Sequence, residues 1–369
     1  MSRSAPMPPD DAVALGRPMP TLEQPLPEAL DRRVGIAVVG LGAFALGQIL
    51  PSFGETKHAR LAGLVSGNAD KARRVADAYG VPHAHVYGYD DADRIASDPA
   101  IDAVYLILPN ALHRTWTERF ARAGKHVLVE KPMAVTERDC EAMIRACDRA
   151  GRTLMVAYRA QYDPYNLAAI DVVRSGAIGD PTVIVSDHGR ALDATDPRDT
   201  WRMRLALAGG GPLYDVGIYA LNATRYLTGE EPVEIRAMID DTPPHPKADV
   251  ESTVVWTMRF PSGVLASCST SYVYQTAKRF HVLGTKGTLE MDPATDYYER
   301  TLRVTTEDGT LEKTVPYRNQ FAEELDHFAT CVRSGTTPRT PGEEGLRDVR
   351  LMQAIYRAAR TGRTVRLES

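Results

Sequence analysis

From Val34 to Gly54 the chain carries no charged residue and holds five glycines, and this run limits what the N-terminal half can become. Its length matches a membrane span, and Arg32-Arg33 before it resembles the opening of a twin-arginine export signal. The five glycines argue against both, as does a start about thirty residues in, behind a polar arm. The run reads instead as a strand, VGIAVV (34 to 39), a glycine turn and a helix.

The turn, Gly40-Leu41-Gly42-Ala43-Phe44-Ala45, places GxGxx(G/A) spacing between strand and helix, the setting in which that spacing holds a dinucleotide. Gly40 permits the tight turn, Gly42 lets a pyrophosphate approach the backbone, and the small Ala45 lets the helix pack on the strand. Helix amides and dipole then face the phosphates. The alternative is a glycine-rich turn with no ligand.

Cofactor choice is written at the end of the second strand, where a carboxylate would accept hydrogen bonds from the ribose 2′-hydroxyl of NAD. Here the strand ends LVSGNADK. Ser66 offers a hydroxyl and Lys71 a cation to a 2′-phosphate, so NADP is expected. Asp70 lies beyond the strand end, in a helix first turn. Lys71 reads equally well as a solvated helix residue.

A chain of 369 residues exceeds the usual size of one compact core, so two domains are expected. The net charge of -4 gives no general attraction to nucleic acid or anionic membrane. Cys140, Cys147, Cys268 and Cys331 lie far apart, and His83 and His85 form an HxH without further ligands nearby; buried free thiols and no metal are expected. Residues 1 to 30 contain seven prolines and no apolar period. They read as an arm, either a disordered tail or a strap over a neighbouring subunit or the cofactor.

From residue 34 short apolar runs alternate with helical segments, the pattern of βαβ units. Further strands are expected at 61 to 65, 102 to 108, 126 to 130 and 153 to 158, and helices near 69 to 79, 111 to 123 and 136 to 150. After about 160, longer strands follow one another near 181 to 189, 232 to 240, 250 to 260, 263 to 272 and 278 to 291. Turns at 261 to 263 and 284 to 287 imply antiparallel neighbours. Helices near 163 to 175, 213 to 228, 319 to 333 and 343 to 360 complete this part. The expected fold class is α/β: an N-terminal Rossmann dinucleotide-binding domain (31 to 158), then a C-terminal α+β domain (159 to 369) on a large, mostly antiparallel open sheet. The C-terminal helix is free to return to the first domain.

Oxidising a hydroxyl takes hydride from carbon and a proton from oxygen, so a proton acceptor must sit beside a nicotinamide. Tyr219 and Asp215 are four apart in an expected helix and would project from one face. Helix packing and a first-turn dipole partner are their plainer explanations. Lys131 ends a parallel strand in Glu130-Lys131-Pro132, at the carboxyl edge where ligands bind. Its ammonium would favour the phenolate of Tyr219 and tune it as an acid/base.

In order, GLGAFALGQILP, LVSGNADKAR, AVYLILPNALH, LVEKPMA and LAGGGPLYDVGIYALNATRYLTGEEP resemble the glucose-fructose oxidoreductase and inositol dehydrogenase family from about 34 to 363. DPATDYY (292 to 298) and PGEEG (341 to 345) resemble its glucose-fructose and aldose-aldose oxidoreductase branch. The wider family commonly places histidine where this chain has Tyr219. The resemblance implies that Lys131, Asp215 and Tyr219 are catalytic. It also implies that Tyr89, Pro109, Asn110, His113, Glu130, Lys131, Arg159, Trp201, Arg202 and Tyr298 line the cofactor cleft, with Tyr158 and Arg202 near the sugar.

The resemblance further implies a ping-pong enzyme with non-dissociating NADP, acting on small-molecule sugars as a homodimer or homotetramer. An ordinary NADP-dependent sugar or polyol dehydrogenase fits the same motifs. A nonenzymatic NADP-binding sensor would need the glycine turn, Ser66 and Lys71, but not Lys131, Asp215 and Tyr219 together. A chain that opens without a leader is expected in the cytoplasm.

Overall fold

The computed structural model describes residues 28–367; the proline-rich arm lies outside them except for its last three residues. Six parallel strands form the first sheet: β1 (Val34–Val39), β2 (Ala59–Val65), β3 (Val86–Tyr87), β4 (Ala103–Leu106), β5 (His126–Glu130) and β6 (Leu154–Ala157). Their order, β3-β2-β1-β4-β5-β6, is that of a doubly wound dinucleotide fold, with its reversal between β1 and β4.

Strand alternation divides the core. Val34, Ile36 and Val38 of β1 join one apolar cluster with Ile49, Leu50, Phe321, Leu325 and Phe328. Ala37 and Val39 face the other way, into a cluster shared with Phe120, Met143, Met352 and Ile355. The helix Gln320–Ser334 thus covers one face of the first sheet at β1 and β2, while Gly342–Thr361 packs on β6, on the helix Glu137–Ala150 and on the strand Glu234–Asp240 of the second sheet. Asp326 fixes the former by accepting from the backbone N–H groups of Lys57, His58 and Ala59 at 2.7–3.1 Å.

The second sheet has nine strands: β7 (Pro181–Gly189), β8 (Glu234–Asp240), β9 (Thr253–Arg259), β10 (Leu265–Ser271), β11 (Ala277–Gly284), β12 (Gly287–Met291), β13 (Leu302–Thr306), β14 (Gly309–Lys313) and β15 (Val365–Arg366). Its order is β14-β13-β12-β11-β7-β10-β9-β8-β15, antiparallel except where β7 meets β10. The helix Ile218–Thr228 packs under it.

The α/β class and the mostly antiparallel second sheet agree with expectation. The span expected near 278 to 291 holds the antiparallel strands β11 and β12, joined at the turn expected at 284 to 287. Four short strands, β3, β13, β14 and β15, were not expected. The segment ahead of Ile218 is a widened helical turn with i→i+5 bonding, Leu213–Gly217, rather than regular α-helix. No helix among the described residues is long and apolar enough to cross a membrane.

Candidate active site

The glycine turn is built by sterics. Gly40 has φ +100°, and a Cβ there would lie 2.2 Å from the carbonyl oxygen of Ile107, so neither backbone nor space admits a side chain. Gly42 faces open space instead. A side chain at Gly42 would occupy the approach to the first amides of the following helix, which lack intrahelical partners. Ala45 is buried. These features suit a pyrophosphate.

Ser66 is buried at the end of β2, its hydroxyl accepting from Asn68 N–H at 3.2 Å. Lys71 Nζ donates to the carbonyl of Leu41 at 2.8 Å, so the ammonium lies against the glycine turn. Asp70 is exposed and pairs with Arg73. Tyr89 packs on Trp116, ring centroids 5.4 Å apart, and lies beside Gly67.

Beyond β4, Pro109 leads into a short turn in which Asn110 is buried, its amide donating to Ala208 at 2.8 Å. His113 departs from the expected cleft position. It is fully buried, with ring nitrogens 2.9–3.2 Å from the carbonyl oxygens of Leu108, Pro132 and Met133, so it ties together the ends of β4 and β5. Tyr158 departs too: its ring belongs to the core and its hydroxyl is buried toward Asp348 rather than toward Tyr219. The HxH histidines go to separate carboxylates, His83 to Asp77 and His85 to Asp98.

Lys131, Asp215 and Tyr219 do meet. Lys131 Nζ donates to the main-chain carbonyl of Asp215 at 2.7 Å and lies 4.6 Å from the Tyr219 ring centroid. Arg159, rather than Lys131, reaches the phenolic oxygen: its Nε donates to Tyr219 at 3.0 Å. The rest of that guanidinium donates to Gln320 and Thr295, each at 2.8 Å. Burial raises the Tyr219 pKa, outweighing the lowering by Arg159, so the phenol stays protonated at rest. The ammonium of Lys131 sits over the ring face, and the hydrogen bond that favours phenolate comes from Arg159. Burial also lowers the pKa of Lys131, against the pull of Asp215 and Glu130. Glu130 accepts from the Tyr105 hydroxyl at 2.5 Å.

Asp215 accepts from Arg202 Nε at 3.0 Å and Arg190 Nη2 at 3.1 Å. Burial pushes its carboxyl up, but Arg202, Arg190 and Lys131 together hold it well below the usual carboxylate range. It is a fixed anion, unsuited to proton transfer near neutrality. Arg202 also stacks on Trp201, 4.6 Å to the centroid. Tyr298 is 57% exposed and donates to Gln48, on the helix after the glycine turn, at 3.1 Å.

Three residues that motif reading passed over complete the group. Tyr297 lies 4.6 Å from the Arg159 guanidinium and 6.3 Å from Phe44, linking the glycine-turn helix to Arg159 and so to Tyr219. His188 stacks on Tyr219 at 5.8 Å, with Nε2 on Thr295 Oγ1. Arg190, on the segment after β7, pairs with Asp199 as well as Asp215. Only Tyr297 had a local signal, its place within DPATDYY.

Residues 34–158 match the family described as oxidoreductase family, NAD-binding Rossmann fold, and residues 166–290 match the GFO/IDH/MocA C-terminal domain. A D-xylose 1-dehydrogenase [NADP(+)] from Haloarcula marismortui is 35% identical, over 92% of this chain and 95% of its own. A D-xylose 1-dehydrogenase (NADP(+)) 2 from Haloferax volcanii is 31% identical, over 90% and 99%. Among solved structures, the aldose-aldose oxidoreductase of Caulobacter crescentus, complexed with glycerol, superimposes with a TM-score of 0.87 at 46% identity, covering 91% of this chain and 100% of that one. With both sheets and the dinucleotide turn in place and both family domains matched in order, the chain belongs to the GFO/IDH/MocA family of oxidoreductases.

Proposed function

We propose that this protein is a sugar oxidoreductase that keeps NADP(H) bound through turnover, oxidising an aldose at C1 to the aldonolactone and then reducing a second sugar, aldose or ketose, to the alditol. The observation that carries the reading is the meeting of Lys131, Arg159 and Tyr219 at the carboxyl edge of the first sheet, joined through Tyr297 and Phe44 to the glycine turn. Similarity to an aldose-aldose oxidoreductase and to NADP-linked xylose dehydrogenases supports the substrate class and the nucleotide.

The bound nicotinamide supplies the acceptor and donor of hydride. Gly40, Gly42 and Ala45 admit the pyrophosphate, and Ser66 with Lys71 takes the 2′-phosphate. Tyr89, Pro109, Asn110, Glu130, Trp201 and Tyr298 flank that path. Tyr219 handles the proton. Tyr219 first loses its resting proton to solvent, a loss that Arg159, Lys131 and the positive charge of an oxidised nicotinamide would favour. As the C1 hydride leaves the first sugar, the C1 hydroxyl proton passes to the Tyr219 phenolate, and that proton goes to the carbonyl oxygen of the second sugar as its carbon accepts hydride. Hydride and proton both balance over the cycle. Arg159 stabilises the phenolate form by donating to its oxygen, and Lys131 adds positive potential at the ring face. Asp215 holds Arg202 and Arg190 at the substrate side.

A second reading is favoured by the xylose dehydrogenase relatives: the same chemistry with NADP released each turnover. One spectrum separates the two. Purified protein mixed with glucose, no nucleotide added, should develop a reduced-nicotinamide band that a second sugar abolishes; protein that needs added NADP excludes the tightly bound cycle.

A further inference from the structure

At the amino ends of the parallel strands, the edge opposite the glycine turn, lies a cleft of about 360 Å³. Its lining includes Arg32, Arg33, Lys125, His126, Arg152 and Arg333, with Asp102 as the only carboxylate lining it among the described residues. Of these cations, Arg333 alone has a carboxylate ion partner among the described residues, Glu28. Lys125, 8% exposed, spends its ammonium on the carbonyls of Ile101 and Asp98 at 2.6 and 3.1 Å. Arg33 donates to the carbonyls of Glu28 and Thr56.

One contact in the cleft is missing an acceptor. Thr153 N–H donates to His126 Nδ1 at 2.9 Å, so a neutral ring carries its proton on Nε2. That Nε2 faces Nη1 of Arg152 at 3.3 Å, two donors toward one another. Burial and then the charge of Arg152 push the imidazole pKa down to about 4, which keeps the ring neutral. An anion beside the pair would accept from both and relieve the repulsion. Arg32 and Arg152 line the same cleft as His126; guanidinium forks match the oxygens of a phosphate, and the volume is that of a small-ligand site.

We propose that this cleft binds a phosphorylated small molecule, its phosphoryl group held by Arg152, His126 Nε2–H and Arg32. A strand length of about 15–20 Å separates it from the glycine turn, so it is distinct from the dinucleotide site.

The test is calorimetric titration of the full-length protein, saturated with NADP to fill the nucleotide site, with inorganic phosphate and separately with phenyl phosphate. Saturable binding is expected, weakened about tenfold or more by Arg152→Glu and less by Arg32→Ala, with sugar turnover unchanged. Arg152 is exposed, and an unaltered melting temperature establishes that the variant is folded; Arg152→Gln serves if the reversal perturbs it. Tighter binding of phenyl phosphate identifies an organic ester as the ligand, and equal affinities identify the free ion. Absence of saturable binding, or binding that Arg152→Glu and Arg152→Gln leave intact, overturns the proposal.

Discussion

Arg159 donates to the phenolic oxygen of Tyr219 at 3.0 Å while Lys131 lies over the face of the same ring, so the two cations act on different parts of one side chain. Only the arginine is hydrogen-bonded to the atom that exchanges a proton. Hydrogen bonds to charged groups contribute about 1.5–3 kcal/mol. Arg159→Lys, which keeps charge but loses the three-way fork, should lower kcat roughly tenfold to a hundredfold and move the alkaline limb of the kcat profile to higher pH. An unmoved limb would assign the tuning to Lys131.

Removing the phenolic oxygen itself is the sharper intervention. Tyr219→Phe should cut kcat by about 10²–10⁴ while the purified protein retains its nucleotide. The His188 stack and the Lys131 contact with the Asp215 carbonyl do not use that oxygen. Nucleotide content by absorbance, measured beside turnover, separates loss of chemistry from loss of cofactor.

At the end of β2, Ser66→Asp places a carboxylate where a 2′-phosphate would lie and should shift preference from NADP toward NAD. Lys71→Ala should weaken NADP by about tenfold and leave NAD nearly unaffected. Competition of the two nucleotides for protein stripped of cofactor measures both, and an unchanged ratio in both variants removes these residues from nucleotide selection.

His188 gives a stability prediction. Its imidazole is pushed down to about 3, first by burial and then by Arg159, Lys278 and Lys131. The unfolded chain binds that proton near pH 6.5, so between about pH 3 and 6.5 unfolding takes up protons. Stability from this group is therefore full above about 6.5 and declines as the pH falls. Melting temperature should drop from pH 7 to pH 5, and the drop should be shallower in His188→Gln.

Much of the fold was legible because its elements carry local signals. β1 was readable from VGIAVV beside Gly40, and the helix Glu137–Ala150 also carries signals readable in principle, Thr136, whose side chain caps it, and Gly151, which ends it in the left-handed region. β3 was not, since its two residues are too few for a period. The β13–β14 hairpin was readable in principle: Asp308-Gly309 between Leu302–Thr306 and Gly309–Lys313 is a turn signal. At the site, Lys131 could be placed from the end of its strand. Arg159, assigned to the cofactor by likeness alone, meets Tyr219 across 60 residues, and no spacing encodes that. Tyr297 and Tyr298 are neighbours in one motif, yet one lies beside Arg159 and the other is mostly exposed; only tertiary packing tells them apart.

The helix Gln320–Ser334 that closes one face of the first sheet also sets the order in which the chain can mature. Until Phe321, Leu325 and Phe328 have left the ribosome, the Val34, Ile36 and Val38 side of β1 lacks its cover, while the Ala37 and Val39 side already has Phe120 and Met143. The nucleotide half is the first to be synthesised and among the last to be sealed. Synthesis therefore leaves a long interval in which the nascent chain exposes apolar sheet, and a polypeptide cut after residue 158 would remain in that state.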